Sequence, residues 1–175
     1  MNALPYRILG IDPGSRRTGF GLIDTDGRRS RWVHSGCLRV DNQPWPQRLL
    51  LIFEGIAQLV ADYLPQEMAV EQLIFARDPA AALKLGQARG AALCAGLKGG
   101  LSVHEYSPKA MKLAVVGSGR AEKSQVQHMV RLLLSLSHEP GEDEADALGI
   151  ALCHAHSLLI PQGKRAAASW RNFRP

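Results

Sequence analysis

Four carboxylates occupy positions where an acid needs a physical reason. Asp12 ends the short apolar run Ile8-Leu9-Gly10-Ile11, which reads as a buried strand. Pro13-Gly14 then turns the chain, because proline fixes φ and glycine accepts positive φ. Glu71 interrupts a second apolar run, with Ala69, Val70, Leu73 and Ile74 around it. An acid in a buried strand must be paired, hydrogen-bonded or bound to a cation. Asp143 and Asp146 open a helix three residues apart, so their side chains reach one point. Glu142 shares a face with Asp146, and spacing alone does not choose between Glu142 and Asp143. Each acid has an ordinary explanation: a β-turn aspartate, a strand-edge glutamate facing water, and a helix start whose acids complement the dipole, with Asp143 as N-cap. Together they point to different chemistry. Clustered acids repel one another unless cations lie between them. An all-oxygen donor set favours Mg²⁺ or Mn²⁺ over zinc. Two such ions about 4 Å apart are a standard arrangement for phosphodiester cleavage.

The rest of the chain must position those acids. It has 175 residues, 46% of them apolar, which suits one domain with a real core. The net charge of +5 suits a polyanionic partner, nucleic acid first, so the acids and the charge together make a nuclease candidate. The three cysteines, Cys37, Cys94 and Cys153, form no CxxC pair and read as small buried hydrophobes in a reducing compartment. The N-terminus has no long apolar core, and no stretch reaches about 18 apolar residues, so the expectation is a cytoplasmic protein with no membrane segment.

Five strands are expected. Ile8–Asp12 and Phe20–Ile23 flank the Pro-Gly turn, Arg29–Val40 completes a meander, and Met68–Phe75 and Ser102–Tyr106 follow. Gly14, Gly19 and Gly21 prepare a close backbone approach, by another strand or a ligand's phosphate. A helix opens at Trp45-Pro46, with Leu49, Ile52, Phe53, Ile56, Leu59, Val60 and Tyr63 inward, and ends before Pro65. Asp78 caps a helix from Pro79 to about Leu97. One face of it carries Ala82, Gly86, Gly90 and Cys94, which suits close packing inside the domain or a dimer seam. A short helix after Pro108 buries Met111 and Leu113, and a helix over 124–136 buries Val126, Met129, Val130, Leu133 and Leu134. A loop from Val116 to Lys123 joins the two, and the acid-rich helix from Asp143 follows. Residues 1–158 make one domain, and 159–175 form a basic, mobile tail.

The chain resembles the RuvC family, the Holliday-junction resolvases of bacteria. The resemblance rests on Ile8-Leu-Gly-Ile-Asp-Pro-Gly-Ser15, Val70-Glu-Gln72, Ala82-Leu-Lys-Leu-Gly-Gln-Ala-Arg-Gly90, Val115-Val-Gly117, Ala121-Glu-Lys-Ser-Gln-Val-Gln-His-Met-Val-Arg131 and Asp143-Glu-Ala-Asp-Ala-Leu148. It spans residues from about 7 to 158. It implies an α/β ribonuclease H-like fold, with a central five-stranded mixed sheet flanked by helices. It implies a homodimer that makes paired, symmetrical nicks in four-way junction DNA in recombination and repair, alongside the RuvA and RuvB branch-migration complex. Two Mg²⁺ ions, with Mn²⁺ as a substitute, would serve hydrolysis to 5′-phosphate and 3′-hydroxyl ends. The family's catalytic acids fall on Asp12, Glu71, Asp143 and Asp146, which places Asp143 ahead of Glu142. Lys112 and Lys123 match lysines near the scissile phosphate, and Lys84 and Arg89 join them as expected DNA contacts. The family often carries an aromatic residue at the position of Ile74, and Phe75 is the candidate to replace it at the DNA.

Two other readings come from other classes. An actin-like ATPase also uses a hairpin such as Asp12-Pro-Gly-Ser with Thr18-Gly, but ordinarily needs two domains. A junction-binding module without catalysis would use the acids as caps and ion pairs.

Overall fold

The structure is a computed structural model that describes residues 6–73 and 78–158. Phe75 and the expected tail, 159–175, lie outside the described residues. Strands β1 (Tyr6–Asp12), β2 (Arg17–Thr25), β3 (Ser30–Arg39), β4 (Glu67–Glu71) and β5 (Ser102–Tyr106) form one sheet in the order β3-β2-β1-β4-β5. The meander β1-β2-β3 is antiparallel, whereas β4 and β5 run parallel to β1. This is the mixed sheet expected of a ribonuclease H-like fold.

Side chains alternate across a pleated strand, so each strand feeds two cores. Leu9, Ile11, Phe20, Leu22, Met68 and Val70 face α1 (Trp45–Tyr63) and α2 (Pro79–Lys98). Ile8, Ile23 and Ala69 face α3 (Pro108–Val116), α4 (Lys123–Leu134) and α5 (Glu142–Ser157). Helix starts follow local chemistry. Asp78 accepts from the backbone N–H of Ala80, and Ser107 from that of Ala110, each just before a proline that needs no donor of its own. Leu64 closes α1 in the left-handed region, and Pro65 follows.

The approach of α5 to the sheet is the decisive packing event. A Cβ on Gly10 would stand 2.1 Å from the carbonyl oxygen of Ala147, and one on Gly19 would stand 1.9 Å from that of Asp143. Gly21 leaves room for the Leu148 side chain. The glycines therefore admit a helix backbone, not the strand or phosphate that sequence suggests. Gly14 instead serves its own turn, where a Cβ would meet the carbonyl of Arg17 at 2.1 Å.

Several local expectations change. β4 stops at Glu71, so the acid is the strand's last residue and not an interior one. Gly141 precedes α5, which begins at Glu142, so Asp143 lies inside the first turn and is not the N-cap. Leu113 and Leu133 are exposed, because the buried stripes of α3 and α4 are narrower than a count of apolar residues suggests. Lys123 opens α4. Cys94 is exposed, Cys37 half-buried and Cys153 buried.

Candidate active site

Parallel pairing puts two of the acids side by side. Ile11 pairs with Val70, so the next residues, Asp12 and Glu71, end neighbouring strands at the same sheet edge. They hydrogen-bond to each other. Across the antiparallel ladder Asp12 opposes Gly19, and Gly19 opposes Cys37. Because Gly19 carries no side chain, the first turn of α5 settles on that row. It brings Asp143 and Asp146 into the field of Asp12.

Further contacts fix the start of α5. Ser35 Oγ donates to Glu144 Oε1 at 2.6 Å, and Glu144 Oε2 accepts from the backbone N–H of Gly141 at 3.2 Å. The Cys37 thiol lies 3.8 Å from Asp143 Oδ2 and donates to it. Burial, then the charge of Asp143, push the Cys37 pKa up, so it remains a thiol. Sequence reasoning read Cys37 only as a small buried hydrophobe, and its place beside Asp143 follows from its strand register opposite Gly19.

The electrostatics are those of acids gathered without counter-charge. Burial, then the charges of Glu71 and Asp146, push the Asp12 carboxyl up to about 9. Burial likewise raises Glu71 and Asp146. At neutral pH Asp12 therefore keeps its proton and donates it to Glu71. Lys123 and Lys112 oppose these shifts, and both act on Glu71 and Asp146 from the rim. Lys123 Nζ lies 2.7 Å from Glu142, whose hydrogen bond raises the lysine pKa. Glu142 is thus turned outward to a lysine, while Asp143 faces Cys37 and the other acids.

The remaining expected contacts separate. Lys84 stands over the Trp45 ring, 5.7 Å from its centroid, and lines a shallow pocket with Ser15, Arg16 and Arg48. Arg89 has internal partners: Glu105 at 2.6 Å, and the carbonyl of Glu71 at 3.3 Å. Its guanidinium braces the strand that carries Glu71.

The donor set fits a hard divalent cation. Four carboxylates converge, at least three of them hold raised pKa values from burial and mutual repulsion, and a cation relieves both. A different group brings its ligand atoms closest. Among the described residues, Glu67, His104 and His154 place theirs within 4.8 Å of one another. It lies on the same face of β4, four residues from Glu71.

Known proteins match this arrangement. The family model described as "Crossover junction endodeoxyribonuclease RuvC" matches residues 8–154. A Marinobacter nauticus protein of that name is 58% identical over 149 residues, covering 85% of each chain. One from Dichelobacter nodosus is 51% identical over 168 residues, covering 95% of this chain and 96% of its own. The structure of Thermus thermophilus RuvC in complex with a Holliday junction substrate superposes with a TM-score of 0.82 at 34% identity, covering 87% of this chain and 94% of that one. A nuclease of this kind is expected to be metal-dependent. With a family model matched along most of its length and relatives more than half identical, the chain belongs to the RuvC family of crossover junction endodeoxyribonucleases.

Proposed function

We propose that this chain resolves four-way DNA junctions by paired, symmetrical, Mg²⁺-dependent nicks, with Asp12, Glu71, Asp143 and Asp146 holding two metal ions. The observation that carries the reading is the meeting of the four acids beside Lys112 and Lys123 on a protein of net charge +5. The metal would supply charge neutralisation, a water of lowered pKa and relief for the leaving 3′ oxygen. The protein's own part is positional. β1 and β4 hold Asp12 and Glu71 rigidly at their ends, and the glycine row lets α5 add its two aspartates. Asp12 and Glu71 must give up their shared proton for the ions to bind, so loading releases protons. The products are 5′-phosphate and 3′-hydroxyl ends, with no covalent intermediate. The test is a synthetic four-way junction incubated with Mg²⁺ or with chelator. Paired nicks only with Mg²⁺ are expected, and binding without nicks would leave a junction-binding module. The family match leaves the actin-like ATPase without support.

Lys112 and Lys123 are proposed to act on the strand being cut. Each can hold a phosphate and offset charge that grows on its oxygens in the transition state. A backbone contact alone would weaken binding and lower its salt slope by roughly one unit on removal. Loss of a transition-state contact slows the reaction even with all DNA bound. Lys112→Ala and Lys123→Ala are expected to lower the single-turnover rate roughly 10- to 100-fold with junction binding largely kept. Unchanged saturated rates in both variants would make them peripheral charges. Lys84, with Arg16 and Arg48 beside it, is proposed as a more distant backbone contact.

A dimer would place one site at each of two symmetry-related strands. The Ala82-Gly86-Gly90-Cys94 face of α2 supports it. The helix packs inward through Ala88, Ala92, Ala95 and Gly96. A Cβ on Gly90 would meet nothing within 4 Å, and one on Gly86 only Leu73 at 4.0 Å. Exposed Leu83 and Leu97 lie on the same helix. Gly86→Leu is therefore expected to fold but to lose dimerisation by overpacking the seam. Sedimentation at micromolar concentration checks this, and a monomeric parent protein would remove the dimer itself. By the same family reading the chain works with RuvA and RuvB in recombination and repair in the cytoplasm. No helix among the described residues is long and apolar enough to cross a membrane.

A further inference from the structure

The far end of the same sheet face carries a second group of ligating side chains that the nuclease reading does not use. Glu67 opens β4, four residues before Glu71, which places it about 13 Å from that acid at strand rise. His104 lies on β5 and His154 in the last turn of α5. Residues 67, 69 and 71 of β4 register with 102, 104 and 106 of β5, so Glu67 and His104 share the face that α5 covers.

Three observations bear on what the group does. First, Glu67 meets both rings as well as the Tyr6 side chain. Oε2 contacts His154 Nε2, and Oε1 stands 3.4 Å from His104 Nε2. Second, His104 Nε2 is buried and makes no hydrogen bond among the described residues, because the 3.4 Å approach to Glu67 lacks the geometry of one. A buried ring nitrogen without a hydrogen bond is costly and asks for a partner. Third, the other side of His154 is already satisfied. Ser157 Oγ donates to the His154 carbonyl at 2.7 Å, which uses its hydrogen. Tyr106 Oη lies 3.0 Å from Ser157 Oγ and 2.6 Å from His154 Nδ1. Nε2 of the same ring meets the Glu67 carboxylate, so both ring nitrogens are engaged. A ring whose far nitrogen is held by a hydroxyl, as Tyr106 holds Nδ1 here, has the second layer usual for a metal-binding histidine.

We propose that Glu67, His104 and His154 form a transition-metal site of the zinc class, separate from the four acids. Two imidazoles and one carboxylate suit Zn²⁺ and discriminate against Mg²⁺, which prefers oxygen alone. His154 is buried and held by Tyr106, so it serves as the fixed ligand, whereas the partly exposed His104 ring closes onto the ion. The consequence is mechanical. The ion ties the end of α5 to β4 and β5, the strands that α5 must overlie to deliver Asp143 and Asp146 at its other end.

The experiment melts the full-length protein in excess Mg²⁺, which occupies the acids, with and without added zinc chloride. Zinc at about a hundredfold excess over its dissociation constant is expected to raise the midpoint by roughly 5–10 °C. The rise should persist in Asp146→Asn and vanish in His104→Ala and Glu67→Gln. Because His104 is partly exposed, His104→Ala keeps the fold and reports loss of the ligand alone. Co²⁺ in place of zinc should give the visible bands of a four-coordinate nitrogen–oxygen site in the unmodified protein and not in His104→Ala. An unmodified protein that does not respond to zinc overturns the site and leaves a proton in the ion's place. A shift that survives in His104→Ala, or one lost in Asp146→Asn, overturns it as well, by placing the zinc elsewhere.

Discussion

Asp12→Asn, Glu71→Gln, Asp143→Asn and Asp146→Asn are each expected to lower junction nicking on the order of a thousandfold or more, while the junction remains bound. The reasoning is geometric. Asp12 and Glu71 end adjacent parallel strands, and α5 adds the other two acids over Gly19. An amide keeps the shape and removes a charged oxygen ligand, so a divalent ion loses a donor that nothing nearby replaces. DNA binding has the opposite dependence, since removing a negative charge strengthens attraction to a polyanion. Single-turnover nicking and gel-shift binding on one synthetic junction separate the two effects. Near-normal nicking in any one variant would take that acid out of the metal site. Glu142→Gln is the control, because Glu142 is exposed and paired to Lys123.

The second large effect is on stability, and it runs against function. Metal-free protein is expected to lose stability as pH rises, and Asp12→Asn to remove much of that loss. The sign follows from Asp12. Its carboxyl is raised from an ordinary value near 4 to about 9, by burial first and then by the charges of Glu71 and Asp146. Between those values the folded protein holds a proton that the unfolded chain has released. The folded state is therefore favoured fully below pH of about 4, and its advantage falls steadily as pH rises toward about 9. Glu71 and Asp146 shift in the same direction and add to the trend. A divalent ion replaces the proton, so stabilisation by Mg²⁺ should grow over the same interval. At pH 8 without metal, Asp12→Asn should melt roughly 5 °C above the parent protein and respond little to Mg²⁺. Melting curves at pH 6 and pH 8, with Mg²⁺ and with chelator, provide the check. A parent protein whose metal-free midpoint rises from pH 6 to pH 8 would show that the acids are already compensated.

Much of the fold was legible in the sequence, because the signals that mark elements are local. Apolar runs bounded by turns placed the five strands within a few residues. Proline after Asp78 and after Ser107 marked two helix starts, since a capping side chain and a residue without an N–H act within one turn. The acids stood out for the same reason: Glu71 is conspicuous beside Ala69 and Val70 whatever the fold. The choice of Asp143 over Glu142 was not local, and only the family resemblance supplied it. In the structure the two acids part according to what lies across from them, Cys37 for one and Lys123 for the other.

What the tertiary structure decided was which distant residues meet. Parallel pairing of β1 with β4 made neighbours of Asp12 and Glu71, and nothing in either segment encodes that register. Gly14, Gly19 and Gly21 announced a close approach, but only packing showed that Gly14 serves its own turn and that the backbone approaching Gly19 is the helix bearing Asp143. Arg89, expected at the DNA, turned inward to Glu105, because α2 covers the face of the sheet to which Glu105 belongs. His104 and His154 stand 50 residues apart in sequence with no motif between them, and Glu67 is one more acid near a strand start. They converge because β4, β5 and α5 share one face of the sheet, and long-range pairing of that kind is written in the packing of whole elements, not in the spacing of residues along the chain.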